Sequence, residues 1–218
     1  HRLPYDRYRL QIIDSREECH MKKPMVHAAL IAALLGASFV STARAAPEKF
    51  VIDSAHTYPF FEINHLGWST TRGLFRKVTG TATLDFAAKQ GSAEIVIDAG
   101  SLDTADAKRD EHLRGEDFLD VAQYPSITFK SDKLSFKGDK LVKADGQLTL
   151  HGVTRPVTLT FAQFKCGEHP VYKKHYCGAD ATATLKRGDF GITAYSGAVG
   201  EEVKLLIQVE AAREAKSQ

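Results

Sequence analysis

From Phe50 onward the chain falls into short runs of alternating apolar and polar residues, joined by links of a few residues, and this spacing restricts the fold more than any other feature. The runs are 50–63, 77–86, 92–99, 126–136, 141–150, 153–164, 176–185 and 203–209. Links such as Lys137-Gly138-Asp139-Lys140 and His151-Gly152 leave consecutive strands only antiparallel pairing, because a parallel neighbour needs a crossover of about a dozen residues. Eight such strands make either a sandwich or a closed barrel. In the first run Phe61 and Ile63 share one face and Phe60, Glu62 and Asn64 the other, with Pro59 predicted to mark a bulge or edge. The segment 65–75 has no clean period and reads as a turn with a short helical piece; it carries Trp68, the sole tryptophan.

One stretch departs from the strand pattern. Thr104 is placed to cap a helix, Asp103 and Asp106 put negative charge at its positive end, and Gly115 stands where a left-handed residue would end it. The spacing predicts a helix over 105–114 with Arg109, His112 and Leu113 on one face and an Asp110–Arg114 pair at i+4. A turn at 116–120 then offers Phe118 and Leu119 as apolar plugs, and Tyr124-Pro125 returns the chain to strand.

The blocks Ser101-Leu102-Asp103-Thr104, Arg109-Asp110-Glu111-His112-Leu113-Arg114, Asp117-Phe118-Leu119-Asp120 and Tyr124-Pro125-Ser126-Ile127-Thr128-Phe129 resemble, in order, the central signature of the YceI-like family of periplasmic lipid-binding barrels. Asp53-Ser54-Ala55-His56, His65-Leu66-Gly67, the run Gly146–Val157, Arg187–Ile192 and Val199–Val203 extend the resemblance across nearly all of the domain. Gly188 departs from it, standing where the family commonly has Ser. The resemblance decides for the barrel: an all-β, eight-stranded antiparallel lipocalin-like β-barrel with a short helical segment covering one end. It implies binding or carriage of a polyisoprenoid chain or isoprenoid quinone, without catalysis and with no cofactor.

Met21-Lys22-Lys23 opens a secretory signal, followed by the apolar stretch 28–40 and the small-x-small site Ala43-Arg44-Ala45. The apolar stretch is shorter than the about 20 residues that span a bilayer, so a cleaved signal over 21–45 is expected. Residues 1–20 are then expected to lie upstream of the natural start, 46–218 to form the mature domain in the periplasm, and no membrane span to remain. Residues 1–45 hold 7 of the 29 Lys+Arg and 4 of the 27 Asp+Glu, so the remainder is near −1 rather than +2. No basic patch argues for nucleic acid. Cys166 and Cys177 remain, flanking what reads as a hairpin tip; an oxidising compartment makes a disulfide the first reading, and a metal site with His169 and His175 the second.

Enzyme motifs such as Gly-x-Ser-x-Gly, a phosphate loop or His-Glu-x-x-His are absent. Asp53, His56 and His65, together with Arg109 and His112, are the only grouping that reads as acid–base machinery, so a small periplasmic hydrolase or isomerase using Asp53, His56 and His65 is the alternative, with a partner module for an inner-membrane redox protein a third reading and a homodimer allowed. The strand faces put Phe75, Ile95, Ile97, Phe129, Leu148, Leu150, Leu159, Phe161, Val203, Leu205 and Ile207 inside, against a small wall of Ala179, Ala181 and Ala183 that leaves room. A tail there gains about 0.8 kcal/mol per buried methylene, so roughly ten offset an association cost of about 8 kcal/mol. The candidate ligand-binding residues are His56, Phe60, His65, Trp68, Phe75, Arg109, His112, Leu113, Phe118 and Phe129, with entry beside the helix and Arg109 as head-group contact; no metal ligand is expected. Arg109→Ala and His112→Ala are expected to weaken ligand retention while hardly moving the melting temperature.

Mass analysis of exported protein is expected to give Ala46 as the first residue; material still carrying residues 1–20 would sink that assignment.

Overall fold

The computed structural model describes residues 45–215, so the upstream and signal segments expected over 1–45 lie, Ala45 aside, outside the described residues. The alternating runs build a barrel of eight walls, three of them interrupted. β1 (Glu48–Ile52) and β2 (Tyr58–His65) form the first, β3 (Ser69–Phe75) and β4 (Val78–Asp85) the second. β5 (Gln90–Asp98) and the two-residue β6 (Leu102–Asp103), separated by a 3₁₀ turn, form the third. A helix α1 (Ala107–Arg114) then leads to β7 (Ser126–Lys137), β8 (Lys140–Leu150), β9 (Val153–Glu168), β10 (His175–Lys186) and β11 (Val199–Arg213).

Pairing runs β1-β4-β5-β7-β8-β9-β10-β11 and returns to β1, so the sheet closes. β11 makes the closure: one edge pairs with β10 from Glu202 to Ala212, and the other meets β2 at Val203–Gln208 and β1 at Ala211–Arg213. In the upper half β2 pairs with β3 and β3 with β6. Phe50 and Val78, nearly inaccessible, pack the lower half.

The segment 65–75 corrects the expected helical piece. It is a hairpin, turning at Leu66 (φ 54) and Gly67 (φ 74), and β3 lengthens a wall rather than adding one. Gly73 lets β3 lie under the neighbouring aromatic ring, since a Cβ there would stand 2.4 Å from Phe61. Pro59 is not a break either; it is buried within β2, and the interruption falls at 53–57, where the Asp53 carboxylate accepts the Ala55 N–H at 3.0 Å.

The helix starts later than the expected 105. Ala105 takes φ 63, which no helix continues, and Asp106 rather than Thr104 is the cap, accepting the Arg109 N–H at 2.8 Å. Thr104 donates its N–H and hydroxyl to the buried Asp110 carboxylate at 2.8 and 2.6 Å. The Asp110–Arg114 pair therefore does not form, and Arg114 donates to the carbonyls of Gly100 and Leu102. Gly115 ends the helix with φ −74 instead of a left-handed turn.

Arg187, 3% exposed, donates to the carbonyls of Ile192, Ala194, Val199 and Gly200, holding the β10–β11 connection as one body. Gly188, the departure noted in sequence, donates its N–H to Glu201 at 2.8 Å, and a Cβ there would meet that carboxylate at 2.5 Å. Cys166 and Cys177 stand opposite each other in the β9–β10 ladder with Cα atoms 4.1 Å apart and are joined by a disulfide, as expected, which withdraws both sulfurs from any metal site.

Reduction of that bridge, or the double change Cys166→Ser and Cys177→Ser, is expected to lower unfolding stability by about 3 kcal/mol through the freed loop. Urea unfolding with and without reductant reads this directly, and coincident curves would mean that the bridge constrains nothing.

Candidate functional site

The barrel encloses a cavity of about 500 Å³, within the range of sites that take a drug-sized ligand. All the large residues assigned to the interior by strand alternation line it, from Phe75 to Ile207. The small wall is Gly178, Ala179 and Ala181; Ala183 does not reach the cavity.

The two ends differ. At the lower end the polar lining residue Thr57 is buried, its hydroxyl donating to the Glu210 carbonyl and accepting the Glu210 N–H, both at 3.1 Å. At the upper end lie Asn64, His65, Arg109, His112 and Tyr195, the lining residues that are also exposed to solvent. This end is the mouth, bounded by α1, the 116–124 turns, the β2–β3 hairpin and the segment before β11.

An aromatic cluster ties these parts together. The Phe118 and Tyr195 rings stack in parallel at 5.6 Å, and His112 sets its ring edge-on to both, at 5.2 and 5.3 Å. Asp117 stands 3.6 Å from the His112 Nε2 and accepts from the Tyr195 hydroxyl at 3.3 Å. The Asp117 charge, then burial, raises the Tyr195 phenol above its ordinary pKa. Arg109 lines the cavity with its guanidinium held by Thr104, donating to the hydroxyl at 2.8 Å and to the carbonyl at 2.7 Å.

Of the residues singled out in sequence, His65, Phe75, Arg109, His112, Leu113, Phe118 and Phe129 line the cavity. His56, Phe60 and Trp68 do not. Phe60 alternates with Phe61 and so faces outward beside Tyr58; Trp68 stands 88% exposed at the hairpin tip. His56 lies on the outer 53–57 turn, its Nδ1 2.9 Å from Asp53. The Asp53/His56/His65 grouping therefore divides, because His65 sits at the far end of β2 opposite Ser69 and Val199. Sequence reasoning missed Tyr195; the available signal was a lone aromatic among the small residues of 193–198.

Asp53, His56 and Glu210 bring possible metal-ligand atoms within 4.8 Å of one another, the one such grouping among the described residues. Its atoms already answer one another. The His56 hydrogen bond to Asp53 raises the imidazole pKa; burial pushes the Asp53 carboxyl up, but the His56 and Ala55 hydrogen bonds outweigh it and hold the carboxyl below its ordinary value.

Comparison with known proteins agrees with this architecture. The family model described as the YceI-like domain matches residues 50–211. A Salmonella agona protein named Protein YceI is 40% identical over 186 residues, covering 81% of this chain and 95% of its own. The crystal structure of BcnA from Burkholderia cenocepacia superposes with a TM-score of 0.61 at 26% identity, covering 73% of this chain and 98% of that one. A polyisoprenoid binding domain from Saccharophagus degradans, implicated in plant cell wall breakdown, shares the fold with a TM-score of 0.58 at 16% identity, covering 78% and 100%.

The Thr104 contacts change one expectation. Arg109→Ala is now expected to lower stability by about 1–2 kcal/mol, since two hydrogen bonds to Thr104 are lost, rather than leave it unmoved. Unfolding by urea checks this, and an unchanged midpoint would show that the guanidinium does not brace the helix entry.

Proposed function

The chain belongs to the YceI-like family, and we propose that it binds an isoprenoid lipid, a polyprenyl chain or isoprenoid quinone, in the barrel interior of an exported, periplasmic protein. The observation that carries the reading is the cavity itself: about 500 Å³ with aliphatic and aromatic walls, closed below and open above. Apolar walls favour a branched hydrocarbon through area removed from water, and below the mouth they offer a sugar or nucleotide only the hydroxyls of Thr57 and Thr71, the first already bonded to Glu210.

A binding role fits the mouth better than catalysis. Asp53 and His56, each of which shifts the pKa of the other, lie on the outer 53–57 turn and do not line the cavity, and Arg109 donates to Thr104. The mouth residues Arg109, His112 and His65 are placed to meet a head group while Leu113, Phe118 and Leu119 meet the first isoprene units.

Organic-solvent extraction of protein purified from its host, followed by mass spectrometry, is expected to release a prenyl lipid or quinone. Ala179→Phe, which projects a ring into the cavity from the small wall, is expected to abolish that cargo with the fold retained. An empty wild-type barrel, or cargo undiminished in Ala179→Phe, would reject the proposal.

A further inference from the structure

The tip of the β2–β3 hairpin presents side chains that the fold does not use. Trp68 is 88% and Leu66 53% exposed, and Tyr195, on the segment beside it, is 49% exposed. The Leu66 N–H donates to the Ala198 carbonyl at 2.8 Å, so the two segments form one surface. That surface is continuous with the cavity mouth, since Asn64, His65, Tyr195 and Ala198 line the cavity from the same segments.

Leu66 is the informative residue. It holds φ 54, a left-handed conformation that strains a leucine and suits asparagine or glycine. Such a turn would be more stable with Asn, so leucine here serves neither the turn nor a core. The charge pattern agrees: 63–73 and 191–200 contain no Asp, Glu or Lys, with Arg72 their one formal charge. By contrast the helical side of the mouth carries Glu111, Glu116 and Asp117.

We propose that this surface docks on a phospholipid bilayer, Trp68 and Leu66 entering the head-group region so that a lipid passes between membrane and cavity without crossing water. Indole and phenol rings prefer that region because one end of each is apolar and the other wet. The hairpin tip, free of carboxylates over 63–71, meets the phosphates there without repulsion, with Tyr195, whose hydroxyl bonds Asp117, at the edge of the patch beside the acidic helical side. The proposal rests on a lipid cargo for its purpose, but its test does not depend on the cargo.

Trp68 is the sole tryptophan and therefore the probe. With vesicles of phosphatidylethanolamine and phosphatidylglycerol, its emission is expected to shift to the blue and to be quenched by lipids brominated on the upper acyl chain. Leu66→Asn is expected to weaken vesicle partition about tenfold, as loss of one buried leucine side chain would, while the melting temperature holds or rises. Trp68→Ser is expected to abolish flotation with vesicles while the extractable cargo is unchanged. Emission that stays that of a water-exposed indole would overturn the proposal and leave the patch to a protein partner. Flotation of both variants at the wild-type level would also overturn it. An empty barrel whose Trp68 still enters vesicles would remove the cargo reading alone.

Discussion

Closure of the sheet rests on one strand with two obligations along one edge. β11 gives its whole first edge to β10 and divides the second between β2 and β1, so the first wall must follow it around the interruption at 53–57. A closed ring removes the exposed edges that an open antiparallel sheet must protect. The division also shapes the interior. Below the interruption β1 and β4 bring the nearly inaccessible Phe50 and Val78 to the cavity wall; above it β2 and β3 present Phe61, Ile63 and Thr71 to the same cavity.

The upper end needs its own support, because β6 pairs with β3 over only two residues and cannot hold a rim alone. Side chains supply it. Asp110 takes both donors of Thr104, Arg109 takes its hydroxyl oxygen and carbonyl, and Arg114 takes the carbonyls of Gly100 and Leu102. One eight-residue helix thus satisfies backbone that a longer strand would have paired, and it does so without occupying the cavity. Arg187 does the same across the mouth, where its planar fork reaches the carbonyls of Ile192, Ala194, Val199 and Gly200.

Alternation made the strands and their two faces legible, since a side-chain period of two sorts residues onto opposite faces once the strands are found, while the choice of barrel over sandwich came from the family resemblance. It put Phe60 and Phe61 on opposite faces without fixing which is the inner one; the structure turns Phe61 to the cavity, and Phe60 therefore leaves the ligand contacts. The 65–75 segment was opaque for a physical reason: Gly73 is there to accommodate the Phe61 ring, and Thr, Ser and Gly in succession give a strand no apolar period to show. The helix entry was ambiguous because Thr104 and Asp106 are both competent caps; the choice fell to a left-handed Ala105, which no sequence rule announces. Tyr195 reaches the mouth through a connection shaped by Arg187, a tertiary contact beyond any local signal.

The contrast between the two ends also fixes how a ligand with one polar head must lie. At the lower end Thr57 has spent its hydroxyl on Glu210, and its neighbours in the lining, Phe50, Ile52, Cys177 and Ala211, offer a head group no side-chain donor. A phosphate or carbonyl pushed there would lose its water without replacement, a cost of several kcal/mol for a neutral group and more for a charged one. At the mouth the same head stays among solvent, His65, His112 and the held guanidinium of Arg109, while its tail runs down past the Ala179–Ala181 wall. Tail-first entry is therefore the orientation in which no polar atom is stranded. It requires the head to remain at the rim, where the aromatic cluster of His112, Phe118 and Tyr195 meets the hairpin that carries Trp68.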